Sequence, residues 1–206
     1  HGPILARQAP VRALPCARVP SSSSPRLALA VCLSGVFVSN LTLTVVTVAL
    51  PTIAKDLAAD PSLTNWVSLG PMLVVALFTS PAGRAADQFG RKRIWLAGFF
   101  LALLGMLGSA FAPSLPLLLV TRFVTGLGNA LLVPAALAIA TSLYPPERRA
   151  VPVGYWTSTT AISPLLGVVC GGYLLEVMSW RWLFGLQVML GLPALATGYA
   201  LFTQRL

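Results

Sequence analysis

The sequence predicts an all-α membrane protein of six transmembrane helices with both termini cytoplasmic. Three observations predict it. The 206 residues are 56% hydrophobic and only 9% charged, whereas a soluble domain carries roughly 25% charged residues. The apolar residues fall into six stretches of the length that crosses a bilayer core, about 20 residues each. The basic residues concentrate in alternate links between those stretches, as short cytoplasmic loops do. A soluble core of six helices apolar on every face would have nothing polar to wrap it.

The spans follow in order. The first covers 27–50 and the second 63–83, both uncharged. The third, 94–111, is shorter and also uncharged. The fourth, 115–144, is long and carries one charge, Arg122. The fifth covers 151–175 and the sixth 183–203, again uncharged. Residues 1–26 are of different material, rich in Arg, Pro and Ser. They read as a disordered basic cytoplasmic tail, with no apolar stretch long enough for a signal peptide. The chain therefore divides into that tail and a six-helix bundle over 27–206.

The net charge of +9 invites a nucleic-acid reading, but its placement argues against one. Eleven of the fourteen basic residues lie in the tail, the 2–3 link, the 4–5 link and the C-terminus, while the links on the other side carry only Lys55 and Arg181. The charge bias places both ends inside, and the even number of spans agrees in putting them on the same side. Cys16, Cys32 and Cys170 lie far apart with no CxxC pair, and the sole histidine is His1. No disulfide framework and no metal site is expected, and no cofactor is called for. Paired carboxylates and a phosphate-binding loop are lacking, so an enzyme is not expected; the "GLGN" at 126–129 has no following GK[ST].

Within the spans, small residues recur four apart: Ser163, Gly167 and Gly171 in the fifth, with Gly154 and Ser158 extending the stripe, Gly126 and Ala130 in the fourth, Gly105 and Ser109 in the third. Such spacing lets helix backbones approach closely in lipid. It reads either as static packing or as a surface between bundles that slides. Pro71, Pro134, Pro164 and Pro193 interrupt four spans. Kinked helices suit a bundle lining a cavity better than a simple anchor.

Arg122 stands out as the ionisable group within a span. A mid-membrane charge costs about 2.5–3.5 kcal/mol on insertion scales, so it is expected to face the bundle interior rather than to snorkel. Counted from the start of its span it lies about 7 residues deep, or ~10 Å at helical rise. Thr42 and Asn40, in the antiparallel first span, reach similar depth and are its expected polar neighbours.

The 2–3 link "GRAADQFGRKR" (83–93) holds five charged side chains in eleven residues. Gly83 and Gly90 are expected to turn the backbone, and Arg91 and Lys92 to hold the link inside. Its pattern, with Gly83, Asp87, Gly90, Arg91 and Lys92 in register, resembles the signature 2–3 loop G-x-x-x-D-x-x-G-R-K/R of the major facilitator superfamily. "RFVTGLGNA" (122–130) resembles that superfamily's fourth-helix pattern, with Thr125 in place of a Gln. The stretch from Gly154 to Gly172 resembles the fifth-helix pattern of its antiporters, with Gly154, Gly167, Gly171 and Gly172 fitting, Ser163 replacing a Gly and Val168 a Pro. "TVVTVALP" (44–51) is similar to the first-helix pattern, with Thr42 where an embedded Asp is usual and Thr47 where an Asn is usual. "YPPERRA" and "SWRWLF" support the match.

The resemblance is strongest to the fourteen-helix drug:proton antiporter branch. It implies one six-helix half of the superfamily fold, and export of a small amphipathic molecule by alternating access, with protons as the coupling ion. The partners it implies are membrane lipid, that substrate, and a second six-helix half or another copy of the chain. The location would be a bacterial inner (plasma) membrane. It also implies that Asp87 latches the cytoplasmic side, pairing with Arg91 or meeting a helix of the other half, with Glu147 as a second partner for Arg91. The chain stops directly after the sixth span and is expected to be an N-terminal half or fragment. A truncated, non-transporting module, an assembly partner or a sensor, is the alternative, motivated by the missing second half and the missing embedded acid.

Overall fold

The computed structural model describes residues 25–203, which are helical apart from short links. In chain order the elements are α1 (Pro25–Asp56), a single turn α2 (Pro61–Thr64), α3 (Trp66–Phe89), α4 (Arg91–Ala110), α5 (Leu115–Ser142), a 3-10 turn (Pro146–Arg148), α6 (Ala150–Val177) and α7 (Trp180–Thr203). Six of these are long and apolar enough to cross a membrane. The predicted tail lies almost wholly outside the described residues, and α1 takes in Pro25 and Arg26 at its edge. Proline sits well at the start of a helix, where its missing N–H leaves no bond unmade.

The helices alternate in direction, and polar contacts mark the two ends. At one end the side chain of Arg91, opening α4, reaches the Ala138 carbonyl near the close of α5, and Lys92 lies 5.8 Å from the ring centroid of Phe202 on α7. At the other end Asp56, closing α1, accepts from Trp180 Nε1 at 3.0 Å and from Arg181 Nη1 at 2.6 Å, both at the start of α7. Arg181 also donates to the Ala112 carbonyl just after α4. Asp60 caps α2, and hydrogen bonds from the Ser62 hydroxyl and amide hold its carboxyl below the usual range.

Neighbours in the bundle run α3–α5–α4–α7–α1–α6, with α1 also touching α5. The apolar core falls into two clusters. One, around Trp95, Phe99, Met106 and Leu132, packs α1, α4, α5 and α7 towards the basic end. The other, around Val46, Ile53, Leu118, Trp180 and Phe184, fills the opposite end. Backbone approaches backbone most closely between α4 and α5: a Cβ on Gly128 would fall 2.4 Å from the Ala102 nitrogen, and one on Gly98 2.7 Å from the Leu132 nitrogen and 2.8 Å from the Gly128 carbonyl oxygen. Gly126, two residues before Gly128, packs instead on the backbone of Pro71 in α3. Helices α3 and α6 flank the bundle and leave broad apolar faces open, including Leu69, Leu73 and Leu77 on α3 and Leu165, Val169 and Tyr173 on α6.

The 2–3 link differs from expectation. The region from Gly83 to Arg93 is not a loop: α3 runs on to Phe89, α4 begins at Arg91, and only Gly90 separates them. Gly83 is an ordinary helical residue with open space where a Cβ would stand, so it makes no turn. The helix persists because Ala82 and Ala86 keep burying its inner face beyond the apolar stretch. Gly90 does turn the chain, at φ 97° and ψ 126°, a region that side chains populate at a cost of about 1–3 kcal/mol. Gly90→Ala is therefore expected to lower the melting temperature, whereas the same change at a solvent-facing glycine with negative φ is not.

Candidate functional site

The predicted site begins with Arg122, on α5, which is enclosed by the bundle with 1% of its surface exposed. Its Nε donates to the Val67 carbonyl in the first turn of α3 at 3.2 Å. Its guanidinium carbon lies 5.5 Å from the ring centroid of Phe184 on α7. Both terminal nitrogens, Nη1 and Nη2, are buried with no hydrogen-bond partner. The interior placement expected from its depth is what the bundle shows, but the partners differ from those expected.

Thr42 is fully buried as well. Its hydroxyl lies 2.8 Å from the Val38 carbonyl, 2.5 Å from Gln187 Oε1 and 3.9 Å from Met106 Sδ. Asn40 turns back on its own helix, with Nδ2 donating to the Val36 carbonyl at 2.9 Å. Neither Thr42 nor Asn40 hydrogen-bonds to Arg122. The side chain that sequence reasoning missed is Gln187, on α7 one turn beyond Phe184, with 1% of its surface exposed and Nε2 unpartnered. Its sequence signal was one amide in an apolar span, "FGLQVML". Turning the amide over would let Nε2 donate to Thr42 and point Oε1 away from it. In either orientation these side chains hold more donors than acceptors. Every acid of the chain, Asp56, Asp60, Asp87, Glu147 and Glu176, lies at or beyond a helix end, so no carboxylate answers the guanidinium from within these spans. A second buried polar contact, Ser39 to Asn129 at 2.9 Å, ties α1 to α5 deeper in.

The expected latch is brought together in part. Asp87 Oδ1 meets Arg91 Nη2 at 3.1 Å and Nε at 3.2 Å, one turn apart across the Gly90 break. Both partners are well exposed, so the pair contributes only about 0.3–0.5 kcal/mol. Glu147 stands exposed on the 3-10 turn and forms no ion pair with Arg91. Lys92 is held over Phe202 rather than in the ion pair.

The small residues of α6 divide. Ser163, Gly167 and Gly171 are buried against α1, where a Cβ on Gly167 would fall 3.2 Å from the Leu41 carbonyl and one on Gly171 3.4 Å from a Val45 methyl. Gly154 and Gly172 meet nothing. Gly154 does not extend the stripe as expected: nine residues before Ser163, it lies half a turn round the helix, on the opposite face. The stripe is thus a packing surface within the bundle.

Six antiparallel helices of membrane-spanning length, packed around an under-partnered arginine, define a multi-pass membrane-protein architecture. The family model for the Major Facilitator Superfamily matches residues 32–205, and the chain belongs to that superfamily of membrane transporters. The chain is 33% identical over 172 residues to an uncharacterized MFS-type transporter of Mycobacterium tuberculosis, covering 84% of this chain and 30% of that protein. It is 33% identical over 191 residues to a putative multidrug resistance protein MdtD of Pectobacterium carotovorum, covering 90% and 41%. It is 33% identical to the tetracenomycin C resistance and export protein of Streptomyces glaucescens, covering 82% and 31%. The chain thus spans about a third of the length of the curated relatives it matches. Among solved structures, a peptide transporter POT superposes with a TM-score of 0.78 at 19% identity, covering 90% of this chain and 40% of that one, which shows the shared fold.

Proposed function

We propose that the chain forms the N-terminal six-helix half of a small-molecule exporter of multidrug type, working by alternating access as an antiporter against protons. The observation that carries this reading is the enclosed Arg122, whose Nη1 and Nη2 have no acceptor; Gln187 Nε2, on α7, is a further buried donor without one. Relatives named for multidrug resistance and export support it. A charge kept buried without a counter-charge is costly and marks a working site in membrane proteins. Because these spans hold no acid, the proton-binding carboxylate lies outside them.

In this reading the open faces of α3 and α6 receive the second six-helix half or a second copy, and lipid covers the remainder. The basic end faces the cytoplasm of a bacterial inner membrane. The exposed Asp87 carboxylate has a free oxygen to offer the N-terminus of a helix from the other half, which would close that side. Asp87→Asn is expected to shift the protein towards inward-facing accessibility to a thiol probe; unchanged populations would remove the latch.

The exporter reading is tested by dye efflux from cells carrying the full-length gene. Arg122→Ala is expected to reduce ethidium efflux at least tenfold at equal membrane abundance, and normal efflux at that abundance would refute the assignment.

A further inference from the structure

A second site lies at the basic end, remote from Arg122 and independent of the transport reading. A cavity of about 450 Å³ opens where α1 starts, α5 ends and α6 begins, lined by Arg26, Leu29, Leu33, Tyr144, Arg148 and Tyr155 among others. That volume falls within the roughly 300–1,000 Å³ of small-molecule sites.

Its chemistry is divided along the bundle axis. Arg26 and Arg148 supply two guanidiniums from different elements, and neither is ion-paired among the described residues, where the two pairs are Arg91–Asp87 and Arg181–Asp56. No acid lines the cavity; the nearest in sequence, Glu147, is not among its walls. The Tyr144 and Tyr155 rings add two amphipathic side chains of the kind enriched at membrane interfaces. Leu29 and Leu33 continue one face of α1 inward from Arg26, at three and seven residues along the helix. From Arg26 to Leu33 the wall descends ~10 Å at helical rise, so it is cationic at the helix ends and apolar towards the membrane core.

We propose that this cavity binds an anionic phospholipid, its phosphodiester between Arg26 and Arg148 and one acyl chain along Leu29 and Leu33. Guanidinium groups match phosphate oxygens in geometry as well as charge, and basic pockets between membrane helices hold anionic headgroups. A free phosphate would satisfy the arginines but leave the apolar wall unused. The positive N-terminal end of α6, directly after Arg148 and Arg149, adds to the attraction.

The test titrates the delipidated full chain in detergent with dioctanoyl phosphatidylglycerol, dioctanoyl phosphatidylcholine and inorganic phosphate, reading tryptophan fluorescence. Phosphatidylglycerol is expected to bind at least tenfold more tightly than phosphatidylcholine, with no saturable response to phosphate. The double variant Arg26→Gln/Arg148→Gln is expected to lose at least tenfold in affinity with its lipid-free melting temperature unchanged. A variant of equal charge loss elsewhere on the same end, Arg84→Gln/Arg93→Gln, is expected to keep wild-type affinity. Equal binding of the two lipids, saturable phosphate binding that displaces phosphatidylglycerol, or an equal loss in both double variants would each overturn the proposal.

Discussion

Gly128→Ala is expected to destabilise the bundle by about 1–3 kcal/mol, the range for overpacking a well-filled interior. The added methyl would overlap the backbone nitrogen and Cα of Ala102 on α4, and Gly98 reciprocates from the other side. Backbone atoms cannot rotate aside, so α4 and α5 would have to part along their whole contact. Two helices that touch through backbone gain dispersion contacts and interhelical hydrogen bonds in place of the hydrophobic effect that lipid does not provide. Gly83→Ala provides the opposite case in the same chain. It lies inside α3 with no atom within 4 Å of the new methyl, and alanine is favoured over glycine in a helix by about 0.5–1 kcal/mol. At about 2–4 °C per kcal/mol for a chain of this size, thermal unfolding in detergent should separate the two variants clearly, with Gly128→Ala below wild type and Gly83→Ala at or above it. If both melt alike, α4 and α5 do not meet through Gly128.

What could be read before folding, and what could not, follows from the range of each interaction. Six spans were legible because hydropathy is a local sum. Their ends are less so: the first span reads as ending at Leu50, before Pro51, yet α1 continues to Asp56, which has a partner on α7, a contact 124 residues away in sequence. Depth arithmetic counted Thr42 from Leu50, six residues short of the helix end, and its hydrogen-bond partner is Gln187 rather than Arg122. It could not find the Arg122 acceptor, because a backbone carbonyl such as Val67 leaves no mark in sequence. Gly154 was misassigned by counting residues without turning the helix. Gln187 was passed over because one amide barely alters the hydropathy of its span; its significance appears only once α1, α5 and α7 are packed. The cavity at Arg26 was invisible for the same reason, being built from three elements.

The second large effect concerns Arg122, where function and stability are expected to part. Arg122→Met removes a charge whose placement in the membrane costs about 2.5–3.5 kcal/mol. It forfeits a charge-assisted hydrogen bond to Val67, worth about 1.5–3 kcal/mol, and a desolvated contact with Phe184, worth about 2 kcal/mol. These losses match or exceed the saving, and the Val67 carbonyl is left without a donor, since Pro71, four residues on, has no N–H. Methionine is flexible enough to refill the space beside Phe184. The variant is therefore expected to melt at or a few degrees below wild type, at about 2–4 °C per kcal/mol, and to lose at least tenfold in efflux per folded protein. A residue selected for packing would lose activity only as far as folded protein is lost. Efflux that falls in proportion to the folded fraction, and no further, would make Arg122 a structural residue. A stable variant that still exports would leave the enclosed donors of α5 and α7 without a role in transport.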